Sequence, residues 1–175
     1  MFQIEIRNGE VVGKNKKLSK EYMSYVRDLL ASPVVQRMGD FIQHGSTTTL
    51  DHCLNVSYYS FLTAKKWGAD AKAAARAGLL HDLFLYDWHE RPIGKGGFYH
   101  SIFHPRVALE NATRHFELTE TEREAILRHM FPYTLDGFPQ SKEAWAVTMM
   151  DKYCCVMETV SGRVEEYVIK PAISA

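Results

Sequence analysis

Apolar and polar residues alternate from Phe2 to Val12, in FQIEI and EVV on either side of Arg7-Asn8-Gly9, and an Asn-Gly pair so flanked predicts a small hairpin or extended arm. The period then changes. Helical spacing runs from about Ser19 to Leu30 and again from Pro33 to about Ile42, the second opening on proline and ending at His44-Gly45. Hydroxyls over 46–49 offer N-caps to a longer helix in which Leu50, Cys53, Leu54, Tyr58, Phe61 and Leu62 share a face and which Gly68 closes. From Asp70, AKAAARAGLLHDLFLY places Ala71, Ala74, Ala75, Gly78, Leu79 and Asp82 on one stripe, small enough to let a neighbouring helix come close.

Periodicity lapses between Asp87 and Phe103, where one proline and three glycines predict a long loop, a candidate lid. Three helices are expected after it: Pro105 to Phe116, Glu120 to Met130 behind a Thr119/Glu122 capping box, and Lys142 to about Thr159 behind Ser141. The tail after Gly162 reads as peripheral. The expected architecture is all-α, a helical bundle with a possible N-terminal hairpin. It forms one domain over 1–175, with a core of about 44–160, an arm and first helices over 1–43, and a tail over 161–175.

Composition narrows the function classes. With 175 residues, 46% of them hydrophobic, the chain can bury a sizeable core. Lys plus Arg equals Asp plus Glu at 21 each, so no net field draws nucleic acid or an anionic membrane, and neither is expected as a partner. Cys53, Cys154 and Cys155 fit neither a disulfide framework nor a zinc finger and read as buried thiols in a reducing compartment. No signal-peptide pattern or membrane span is visible, and a cytoplasmic location is expected.

The chemistry lies in where certain histidines and aspartates fall. His52 is near the start of one predicted helix and His81-Asp82 near the end of the next. His104 starts another, His129 is near the end of its own, and Asp151 is in the middle of the last. Five helices each supplying N or O donors resemble the way bundles build metal sites from facing side chains. Asp82 and Asp151 sit among aliphatic neighbours, where an unpaired carboxylate would face a desolvation cost of several kcal/mol that a cation removes. Each position also has a plainer reading. A helical His is more often a hydrogen-bonded core residue, Arg76 or Lys152 could pair with the aspartates, and His129 could be a cation favoured by a helix C-terminus.

The order His52, His81-Asp82, Asp151 resembles the HD-domain superfamily of metal-dependent phosphohydrolases. The strings TTTLDHCLNVSYYS, AARAGLLHDL and MMDKYC are similar to its first, second and last motif helices, over roughly Thr47 to Met157. The resemblance implies an all-α bundle with His52, His81, Asp82 and Asp151 as metal ligands. His104 in FHPRVALENA and His129 in LRHMFP stand where a two-metal branch of the superfamily has two further histidines, which implies that they complete a second ion and that Asp82 bridges the two.

Two divalent ions about 3.5–4 Å apart share a water, lower its pKa toward about 7 and clamp the oxygens of an in-line displacement, which suits phosphoester hydrolysis by a metal-bound hydroxide. Mixed imidazole and carboxylate donors accept Fe, Mn, Co, Ni or Zn, so one or two such ions are the expected cofactor. Asp82, Lys152 and Arg128 form the expected catalytic set, while His44, Lys95, His100 and Arg106 are candidates for substrate binding. The expected partner is a small phosphomonoester or phosphodiester, a nucleotide or sugar phosphate. A di-iron oxygenase and a non-catalytic nucleotide-binding module are the competing readings. Oligomeric state is left open.

Overall fold

The computed structural model describes residues 4–7, 10–13, 20–44, 47–89, 97–134 and 137–161. The hairpin forms as the alternation predicts: β1 (Ile4–Arg7) pairs antiparallel with β2 (Glu10–Gly13), Ile4 opposite Gly13 and Arg7 opposite Glu10. Helix α1 (Lys20–Leu30) buries Tyr22, Val26 and Leu29. The helix expected over 33–42 is shorter. After α2 (Pro33–Gln36) the chain tightens into a 3-10 turn (Arg37–Asp40), and β3 (Ile42–His44) then pairs with β4 (Thr47–Thr48). Sheet pairing with the segment beyond Gly45 satisfies the backbone that helical spacing alone assigned to a longer helix.

Helix α3 (Thr49–Trp67) starts where Thr48 Oγ1 accepts the Asp51 N–H, and it stops at Gly68, whose φ of 62° is left-handed. Phe61 is buried, but Leu62, expected on the same face, is exposed. Helix α4 (Ala71–Leu80), capped by the Asp70 carboxylate, is buried throughout its last eight residues and packs against α1, α3 and the three later helices. Gly78 explains part of that closeness: a Cβ there would lie 2.9 Å from the Ser57 Cα of α3.

Helix α5 (Gly97–His115) begins eight residues earlier than expected and carries Pro105 inside it. Proline forfeits one backbone bond, but buried Ala108 and Ala112 hold this helix in the core. Residues 90–96, the middle of the supposed lid, lie outside the described residues, as does the tail beyond Ser161. Helix α6 (Glu120–Arg128) has the reciprocal Thr119/Glu122 capping box, and α7 (Lys142–Ser161) completes the set of seven α-helices among the described residues. Cys53 and Cys154 are buried free thiols, while Cys155 is half-buried. No helix among the described residues is long and apolar enough to cross a membrane.

Candidate metal centre

Helices α4 and α6 both point their C-termini at one spot. His81 follows the last residue of α4 and His129 the last residue of α6, each as a C-cap. The unsatisfied carbonyls of a last helical turn need donors, and here imidazoles supply them. Nδ1 of His81 is 2.8 Å from Gly78 O, and Nδ1 of His129 is 2.8 Å from Ile126 O. On α5, Nδ1 of His104 is likewise 2.8 Å from His100 O. A carbonyl only accepts, so Nδ1 carries a proton in all three rings, and Nε2 faces inward as the nitrogen that offers a lone pair whenever the ring is neutral. Two helix C-termini also bring negative partial charge to the same place, which favours a cation.

Those Nε2 atoms meet the two aspartates. His81 Nε2 lies 3.5 Å from Asp82 Oδ2 and 3.7 Å from Asp151 Oδ1. His104 and His129 Nε2 lie 3.1 and 3.6 Å from Asp82 Oδ1, and 2.8 Å from each other. His52 comes from α3, its Nε2 3.1 Å from Asp151 Oδ1. All six residues are buried, none more than 8% exposed. Five of them form two overlapping triplets whose donor atoms lie within 4.8 Å of one another: His52, His81 and Asp151, and His81, Asp82 and His129. His81 belongs to both triplets, and Asp82 turns one carboxylate oxygen toward His81 and the other toward His104 and His129.

This donor set fits a metal. His104 and His129 present lone pairs to each other at hydrogen-bond distance with their protons already committed elsewhere. His81 Nε2 and Asp82 Oδ1 are buried without a hydrogen-bond partner among the described residues, which is costly unless a cation or proton sits between them. The helical bundle therefore gathers the ligands implied by the resemblance, although His81, Asp82 and His129 stand just beyond helix ends and His104 lies within α5 rather than at its start.

Electrostatics agree. Burial works against every charge here, yet the His81, His104 and His129 rings outweigh it at Asp82, whose carboxyl is held well below its usual range. Asp151 is likewise depressed against burial, by Lys152 and by hydrogen bonds from His52 and His81. Burial also opposes protonation of His52 and His81, but the Asp151 and Glu158 carboxylates raise the first, and Asp82, Cys53 and Asp151 raise the second, well above an ordinary imidazole. At His129 burial and the neighbouring rings prevail, so it is held well below the normal value and is not the helix-end cation of the plainer reading. Nor does Arg76 neutralise Asp82; it pairs with Asp28 at 2.8 Å and Glu122 at 3.0 Å.

A cavity of about 570 Å³ opens onto Asp82, His104, His129 and Asp151. His44 and His100 line it, as expected of substrate-facing residues, and so does Lys152. The Lys152 ammonium is engaged, donating to Asp151 Oδ2 and His129 O, each at 2.7 Å, and so ties α7 to the end of α6. Arg106 and Arg128 are corrections: they line a separate small recess with Leu127 and Thr134, and Arg128 donates to Phe138 O at 2.6 Å. Consecutive helical residues point about 100° apart, so nearness in sequence does not by itself aim a cation at a ligand: the Lys152 side chain turns back to Asp151, whereas both arginines line the other recess. Lys95 lies outside the described residues.

Sequence reasoning missed two participants. Gln43, on β3, donates from Nε2 to Asp82 Oδ2 at 2.7 Å, and no pattern in FIQHG announces it. Glu158 holds Nδ1 of His52 at 2.8 Å, and a signal did exist, since seven residues on from Asp151 is the same helical face.

No curated protein and no solved structure matches the chain. The family model for the HD domain, however, matches residues 49–154, more than half the chain, and its span runs from the start of α3 through Asp151. With a His, a His-Asp pair and a distant Asp converging from α3, the end of α4 and α7, the chain belongs to the HD-domain family.

Proposed function

We propose that this chain is a metal-dependent phosphohydrolase acting on a small phosphomonoester or phosphodiester, a nucleotide or sugar phosphate. The observation that carries the reading is the convergence of four imidazoles and two carboxylates, all buried, beside a cavity large enough for a small organic ligand. His52, His81, Asp82 and Asp151 would hold one ion, and Asp82, His104 and His129 a second. Bound there, such ions polarise a phosphoryl oxygen and activate a water.

The remaining residues bind and orient. Trp88, Met130, Pro132, Tyr133 and Val156 give the cavity apolar walls that suit the organic part of a substrate and limit water around the reacting group. Burial and the ring of His104 bring the His100 imidazole down to about 4, so it meets a substrate oxygen as a neutral hydrogen-bonding group near pH 7. His44 is also lowered, by burial and by His52, and faces the same space. Lys152 places a positive charge at the wall while holding Asp151 in position.

The test is purification without chelator, elemental analysis, and assay of phosphate release from nucleoside monophosphates, sugar phosphates and an aryl phosphodiester. One or two transition-metal equivalents and turnover of at least one substrate are expected. Asp82→Asn should cost roughly 100-fold or more in rate, the scale of losing a preorganised charge at the reacting centre. Oxygen consumption without phosphate release by the iron-loaded protein would overturn the hydrolytic reading in favour of an oxygenase. Tight nucleotide binding without turnover in any metal would replace it with a binding module.

A further inference from the structure

His52 differs from the other three inward-facing imidazoles in what takes its second proton. His81, His104 and His129 donate Nδ1–H to backbone carbonyls, whereas Nδ1 of His52 lies 2.8 Å from a carboxylate oxygen, Glu158 Oε2. The Glu158 side chain is fully buried. Its other oxygen accepts from Asn55 Nδ2 at 3.1 Å, and no lysine or arginine among the described residues pairs with it. Four residues thus face each other across two helices, His52 and Asn55 one turn apart on α3, Asp151 and Glu158 two turns apart on α7, with His52 reaching both carboxylates.

A carboxylate behind a ligating imidazole does more than a carbonyl. It fixes the tautomer, holds the ring plane and pulls on the Nδ1 proton, which makes Nε2 a stronger donor. We infer that Glu158 is a positioning residue that acts through His52, and that it makes the ion held by His52, His81, Asp82 and Asp151 the tighter of two. The inference rests on the metal-dependent reading above. A buried negative charge whose cationic neighbour is an imidazole is costly by itself. With a divalent ion on the far side of the ring, that charge is compensated through His52.

The test is titration of metal-free protein with Mn²⁺ alone, read by calorimetry, for wild type, His104→Ala, Glu158→Gln and the double variant. His104→Ala removes a donor from the second group, so one tight equivalent should remain. Adding Glu158→Gln, which keeps shape but not charge, should weaken that equivalent about 10- to 100-fold. In the single Glu158→Gln variant the second equivalent should stay within about threefold of wild type, an asymmetry that a general folding defect would not produce. If Glu158→Gln does not fold, Glu158→Asp, which keeps the charge but withdraws it from His52, should weaken the same equivalent. A first-ion affinity within about threefold of the parent in whichever variant folds overturns the inference. Wild-type protein that binds no Mn²⁺ at all overturns instead the metal-dependent reading beneath it.

Discussion

Protons and metal ions compete for the same atoms at this centre, and each residue's surroundings say how hard. His52 and His81 carry raised affinities for a proton, because flanking carboxylates overcome the penalty of burial, while His129 is depressed. An entering ion must therefore displace protons from the first two rings and none from His129. The sign follows: an imidazole with a raised proton affinity yields its proton less readily to an ion, so metal affinity should strengthen as pH rises from about 6 to 8 and weaken as it falls. Calorimetric titration at about pH 6.5 in buffers of different ionisation enthalpy should show net release of protons on metal binding, and a count near zero would contradict the assignment. Several of these residues were legible beforehand, because Asp82 and Asp151 are charges among aliphatic neighbours and only burial with a partner explains them. Gln43 was not, since a single amide in a short strand carries no periodicity. Arg106 and Arg128 misled because nearness in sequence does not decide where a long side chain points, and both line another recess while Lys152 reaches Asp151.

Among the elements, the long apolar-patterned helices and their caps could be read directly: Thr48 and the Thr119/Glu122 box act at the helix starts where their side chains predict. Glycine and proline were poorer guides. The loop expected up to Phe103 gives way to α5 already at Gly97, and Pro105 is tolerated because packing outweighs one lost hydrogen bond. At Gly78 two effects oppose each other. Alanine favours a helix over glycine by up to about 1 kcal/mol, but here its Cβ would meet the backbone of Ser57 and Val56 at 2.9–3.3 Å, and overpacking of that kind costs about 1–3 kcal/mol. Gly78→Ala should therefore destabilise the metal-free protein by about 1–2 kcal/mol in urea unfolding, and a gain in stability would show that α3 and α4 can part without cost.

For the whole molecule, the centre would work as a brace once a metal is bound. Its donors come from α3, the end of α4, α5, the end of α6, and α7, so an ion between them ties together elements as far apart in sequence as His52 and Asp151. Anything that binds only the folded state stabilises it by mass action, about 4 kcal/mol per ion at a thousand times its Kd. Chelation should then lower the melting temperature by on the order of 10 °C, restored by adding Mn²⁺; identical melting curves with and without chelator would count against a bound ion. The balanced overall charge, visible from composition alone, means that any anionic substrate would have to be drawn by local charge. One further consequence concerns where α4 stops. After Leu80 its regular ladder gives way to tighter bonds, Leu83 N–H to Leu80 O at 3.2 Å and Phe84 N–H to Asp82 O at 2.8 Å. That change of path accompanies two successive side chains reaching one point, which an unbroken helix would fan apart. The grip of the pair thus depends on the length of α4 more than on its composition. Its alanines can be exchanged within limits of size, but a single residue inserted before His81 would swing the pair out of alignment while leaving every donor in the chain.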